Sequence, residues 1–163
     1  MNRKALLELA DFLEILDPKR FDICTWRMLS KGKPGFVSDE QLLNDQKTLA
    51  CPVGWGCLLD SWRQTGLYIA PFSVKEEHLS NPLSKPHVMS LVKTKLDDEL
   101  DSYDAIDLSL SLYPGTAAVL FNPDNYADEE YTDAKTVAER IREFCLVSEG
   151  DIANTVLSYS DSD

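Results

Sequence analysis

The sequence predicts a mainly α fold, a single compact domain over residues 1–163 built of short helices, with one short hairpin at most. Three observations predict it. Apolar residues recur at helical spacing near both ends of the chain. The apolar fraction, 44% of 163 residues, is close to the globular norm and is enough for a core. Proline and glycine punctuation cuts the intervening sequence into short segments.

Residues 3–16 open the chain as an amphipathic helix. Leu6, Leu9, Ala10, Leu13 and Leu16 share one face, with Glu8, Asp11 and Glu14 toward the other. Asp17-Pro18 ends it, because the residue before proline avoids the helical region. Phe21, Ile23, Cys24 and Trp26 form a short apolar stretch, extended or a single turn, and residues 30–36 read as a loop. Ser38 followed by Gln41 has capping-box spacing and predicts a short helix through Leu43. Residues 48–62 are densely apolar and predict one buried helix, with Thr48 as cap and Pro52 in its first turn. Gly54 and Gly56 weaken that helix by about 1 kcal/mol each and would let another backbone approach closely. Residues 66–71 are extended, and residues 73–85 are irregular around Asn81-Pro82.

Pro86 opens a predicted helix through Leu100, with Val88, Leu91, Val92, Leu96 and Leu100 on one side. Its C-terminal end would carry Asp97, Asp98 and Glu99, the wrong sign for the helix dipole. Residues 106–112 alternate Ile, Asp, Leu, Ser, Leu, Ser, Leu, a period of two that signals a strand. Thr116 to Phe121 is a short apolar run, and Asn122 to Asn125 is a turn. Thr132 is the expected cap of the clearest helix, striped by Ala134, Val137, Ala138, Ile141, Phe144 and Cys145 and ended by Glu149-Gly150. Asp151 would cap a last helix through Tyr159.

Charge is the strongest functional signal. Residues 97–163 hold 17 Asp and Glu against three Lys and Arg, whereas residues 1–96 hold 11 against 13. Such an excess on a folded body serves solubility or attracts a basic partner. No apolar run approaches the length of a membrane helix. The first residues lack the uninterrupted apolar stretch of a signal peptide, so a cytoplasmic protein is expected. Four cysteines in a reducing compartment are expected as buried thiols. Cys51 and Cys57, with His78 and His87, are the residues from which a metal site or a thiol nucleophile with its base could be built, although their spacing matches no standard zinc pattern. No P-loop, dinucleotide fingerprint or calcium loop is present, and no cofactor is expected. Lys31, Lys33 and Lys47 are too few for a duplex-binding face, which the acidic half would repel.

Several fragments resemble a family of small proteins from phages and bacterial genomes. Its members follow an amphipathic helix with a Phe-Asp-x-x-x-Trp segment and a Cys-Gly-Thr-x-x-Cys-x-x-Gly-Trp signature, then a Leu-Phe pair and a closing helix. Phe21 to Trp26 matches the second element and Thr48 to Trp55 the latter half of the signature. Leu120-Phe121-Asn122-Pro123 and Val137 to Phe144 match the rest. The first signature Cys and Gly fall on Gln46 and Lys47, so a paired-cysteine role is lost. The resemblance implies a mainly helical fold, taken over the strand signal at 106–112, and no known activity.

The functional expectation is a non-enzymatic, phage-type acidic protein. It would bind, and inhibit, a basic nucleic-acid-binding host protein, as a nucleic-acid mimic or an anti-defence inhibitor of anti-CRISPR type. The expected contact residues are Asp97, Asp98, Glu99, Asp101, Asp104, Asp107, Asp124, Asp128, Glu129, Glu130 and Asp133. Tyr103, Tyr113, Tyr126 and Tyr131 stand among them as aromatic anchors. A Cys/His metal or thiol enzyme and an oligomeric structural protein are the alternatives.

Overall fold

Helix α1 (Arg3–Ile15) begins at Asn2, whose side chain accepts the Ala5 N–H, and buries Ala5, Leu6, Leu9, Ala10 and Leu13. That stripe packs beside α7 (Ala134–Leu146), which buries Val137, Ala138, Ile141, Phe144 and Cys145. Trp62 fills the space between α1 and the middle of the chain, its indole N–H donating to the Ala5 carbonyl at 2.9 Å. The computed structural model describes residues 1–30, 35–74, 87–127 and 132–147.

Between these two helices the described chain mixes α and β. Strand β1 (Arg27–Met28) pairs antiparallel with β2 (Leu49–Ala50). The capped helix α2 (Asp39–Asn44) lies between them in sequence, with the Ser38–Gln41 capping box formed in both directions. Two short helices follow, α3 (Pro52–Gly56) and α4 (Asp60–Gln64). Strands β3 (Leu67–Val74) and β4 (His87–Thr94) form an antiparallel pair in which Ile69 faces Val92 and Leu67 faces Thr94. Helices α5 (Ser102–Ser109) and α6 (Thr116–Phe121) lead to α7. With two separate two-stranded antiparallel sheets among the described residues, the mainly α expectation gives way to a mixed α and β architecture.

Three elements differ from expectation for identifiable reasons. The single helix over 48–62 is divided, because Leu49 and Ala50 join β1 and the Cys51 N–H donates to the Thr25 carbonyl. Cys51, not Thr48, stands at the N-cap of α3. Thr48 instead accepts from Arg20, a buried arginine whose Nη2 also reaches the Leu42 and Asp45 carbonyls and whose guanidinium lies 4.8 Å from the Trp55 ring centre. The helix predicted over 86–100 is strand β4 followed by turns. Its inward face is Ser90, Val92 and Thr94, all buried. Ser90 accepts the Val37 N–H at 3.2 Å, and Thr94 bonds the Ser109 hydroxyl at 2.7 Å. Two buried hydroxyl residues erase the apolar alternation that would mark a strand. The cap of α7 is Asp133 rather than Thr132, with its carboxylate on the Thr136 N–H at 2.8 Å.

The helical choice for 106–112 holds over the part that lies in α5. Ile106 and Leu110 are buried but Leu108 is exposed, while Asp107 and Ser109 are buried, so the alternation does not track the core. The expected helix over 151–159 and the stop at Glu149-Gly150 lie outside the described residues.

Candidate functional site

The acidic segment begins where β4 ends. Asp97, Asp98 and Glu99 sit in exposed turns, and Asp97 accepts the Glu99 N–H at 3.0 Å. Asp101 precedes α5 and Asp104 stands in its first turn, both exposed. Lys93, at the end of β4, turns back to the Asp98 carbonyl at 2.8 Å, which spends its ammonium on backbone rather than on the carboxylates. Asp124 is exposed in the short turn Pro123–Asn125 and acts electrostatically on Tyr103. Five exposed carboxylates over residues 97–104 therefore share one stretch of turns and helix start.

Several expected contact residues have other work. Asp107 is buried, at 5% exposure. Its Oδ2 accepts the Gly115 N–H and its Oδ1 the Ala117 N–H, each at 2.7 Å. It therefore caps α6 and leaves the acidic surface. Burial pushes its carboxyl above the ordinary range, and the two N–H donors offset only part of that. Asp133 is exposed but caps α7, and the Thr136 N–H holds its carboxyl below the usual range. Tyr103 is half-buried edge-on against Trp26, with ring centres 5.2 Å apart. Tyr126 donates its hydroxyl to the Leu120 carbonyl and stacks under Arg140 at 4.4 Å. Neither ring is a protruding anchor. Tyr113, by contrast, is 60% exposed. Asp128, Glu129, Glu130 and Tyr131 lie outside the described residues.

Burial disfavours the thiolate at Cys51 and Cys57. Cys51 and Cys57 are both buried, and loss of solvent pushes each thiol up to about 12. Arg27 and Arg63 pull Cys57 the other way, but desolvation wins. A thiol, not a thiolate, is present at neutral pH, and only the thiolate is a good nucleophile or metal ligand. No group of three or more His, Cys, Asp or Glu side chains among the described residues is arranged to hold a metal ion. His78 lies outside those residues, as does the side chain of His87. A depression of about 1010 Å³ is bordered by Lys19, Asp22, Lys47 and Tyr126. No histidine is among the described residues that line it.

One charged cluster escaped the sequence reading. Asp39, at the start of α2, bridges two arginines: Arg27 Nη1 and Arg63 Nη2 each stand 2.7 Å from one of its oxygens. Arg27 is buried, donating Nε to the Gly54 carbonyl and Nη1 also to that of Val37. The available signal was an arginine placed between Trp26 and Met28 in an otherwise apolar stretch.

No helix among the described residues is long and apolar enough to cross a membrane. No family model, curated protein or solved structure matches this chain.

Proposed function

We propose that the protein is a non-enzymatic acidic interaction protein that docks on a basic, nucleic-acid-binding protein and competes with its nucleic acid. The observation that carries this reading is the exposed run Asp97, Asp98, Glu99, Asp101 and Asp104 at the β4–α5 junction. Carboxylates spaced along a turn and a helix start offer a basic groove a line of negative charge, as a phosphate backbone does. Such charge chiefly raises the association rate and makes binding sensitive to salt. An anti-defence role of the kind found in phage proteins is the specific form we favour, in keeping with the resemblance carried by Phe21 to Trp26 and Thr48 to Trp55.

The test is capture of basic proteins from a bacterial lysate on the immobilised protein at low salt and at 0.5 M salt, followed by competition with duplex DNA or RNA. The expected result is retention of a nucleic-acid-binding protein that is lost at high salt, where screening acts within about 4–5 Å, and lost on adding nucleic acid. Replacing Asp97, Asp98 and Glu99 by Asn, Asn and Gln should weaken capture to a similar degree. Capture indifferent to both salt and these substitutions would overturn the reading.

A further inference from the structure

We infer that the cleft beside the Arg27–Asp39–Arg63 cluster binds a small carboxylate ligand with an apolar body, with Arg27 and Arg63 as the anion-recognising pair. The cleft encloses about 510 Å³, a volume ordinary for a small-molecule pocket. Arg27 lines it and is 2% exposed. Its Nε and Nη1 are satisfied by Gly54, Val37 and Asp39, but Nη2 has no hydrogen-bond partner among the described residues. A guanidinium cannot relieve that by giving up its proton. A buried donor on a charged group is costly to leave unmade. An incoming oxygen that accepts from Nη2 removes the cost, and a carboxylate matches the guanidinium fork in shape.

Charge and lining define the ligand further. Arg27, Arg63 and Lys95 face Asp39 and Glu40 around the cleft, an excess of one positive charge. One carboxylate balances that; a doubly charged phosphate overshoots it. The remaining wall includes Phe36, Tyr68 and Ile69, which suit an aromatic or acyl body. Nη2 is shielded from solvent, whereas the side chains of Arg63 and Asp39 are 46% and 47% exposed. Ligand entry therefore goes with a shift of that outer pair, with Arg63 turning from Asp39 toward the incoming carboxylate.

The test is titration with sodium benzoate, followed by thermal unfolding and by nitrogen–proton spectra of the arginine Nε–H groups. Sodium chloride at equal ionic strength, acetate and inorganic phosphate are the comparison arms. The expected result is saturable stabilisation by benzoate, with movement of two arginine signals and weaker binding of acetate. Arg63→Gln should lower benzoate affinity about tenfold or more, the scale of one charge-assisted hydrogen bond. Lys95→Gln, at an exposed position, supplies the same test with a smaller loss should the Arg63 variant fail to fold. Benzoate acting no differently from chloride, phosphate binding in preference to benzoate, or affinity unchanged in both variants would overturn the inference.

Discussion

Asp107 caps helix α6 through Ala117: the carboxylate of one helix takes the N–H of the next at 2.7 Å, while its other oxygen takes that of Gly115 at the same distance. A single side chain thus fixes the α5–α6 corner, where Gly115 adopts φ +87. Asp107→Asn keeps the size but puts an amide NH₂ where one oxygen stood, so one buried donor loses its acceptor. The expected loss is about 1–3 kcal/mol, measured by urea unfolding, with Asp107→Ala at least as costly. Because burial raises this carboxyl, its contribution is greatest at low pH. It is lost as pH rises from the ordinary carboxylate value through the raised folded one. The Asn variant lacks that slope. An Asn variant as stable as the parent would show that the two hydrogen bonds do not hold the corner.

Asp133 titrates in the opposite sense. Its carboxyl is held low by the Thr136 N–H at the start of α7, so its contribution is complete above the ordinary carboxylate value and is lost as pH falls through the lowered one. Asp133→Ala should cost about 1 kcal/mol near neutral pH, the usual worth of an N-cap, with the difference shrinking in acid. Asp133→Asn keeps a cap without the titration and should flatten this part of the acid limb. A constant Ala penalty from pH 7 down to pH 2 would contradict the assignment.

How much was legible depends on where local chemistry and tertiary contacts agree. The stripes of α1 and α7 and the Ser38–Gln41 capping box are local, and the structure follows them. Strand β4 was not legible because Ser90 and Thr94 face inward to partners far along the chain, at Val37 and Ser109. The acids at 97–104 are exposed as expected, but nothing in their sequence separates them from Asp107, which differs only in having α6 start beside it. The Arg27–Asp39–Arg63 cluster joins residues from three elements, and no spacing rule links them. Close approach at Gly54 was legible, since a glycine, with no Cβ, leaves room for another backbone.

Gly54 is where that approach is most severe. A Cβ there would lie 1.8 Å from the Trp26 carbonyl oxygen and 2.9 Å from the Ala50 Cβ. Backbone cannot yield as a flexible side chain does, so the Trp26 segment leading into β1 must separate from α3. Gly54→Ala is expected to cost about 3 kcal/mol or more, in the range of severe overpacking. Gly115→Ala, with open space around it but a positive φ, should cost only about 1–2 kcal/mol from backbone strain. Thermal unfolding of the two variants side by side checks the order. Equal losses would mean that the β1–α3 contact adjusts more readily than its geometry implies.

Thiol reactivity separates a folded interaction protein from a thiol enzyme. Cys24 is exposed, whereas Cys51, Cys57 and Cys145 are buried. Desolvation raises all three buried thiols, with Cys51 and Cys57 reaching about 12. At pH 7.5 the thiolate fraction at Cys51 and Cys57 is therefore vanishingly small, and access is blocked as well. A disulfide reagent such as dithionitrobenzoate should label one thiol quickly in the native protein and all four in denaturant, with Cys24→Ser removing the fast phase. Raising the pH to 9 should leave Cys51 and Cys57 unlabelled in the native protein, because both stay protonated until well above that. A second fast thiol in the native state that survives Cys24→Ser would place an activated cysteine in the fold and favour the enzymatic alternative over the acidic docking protein.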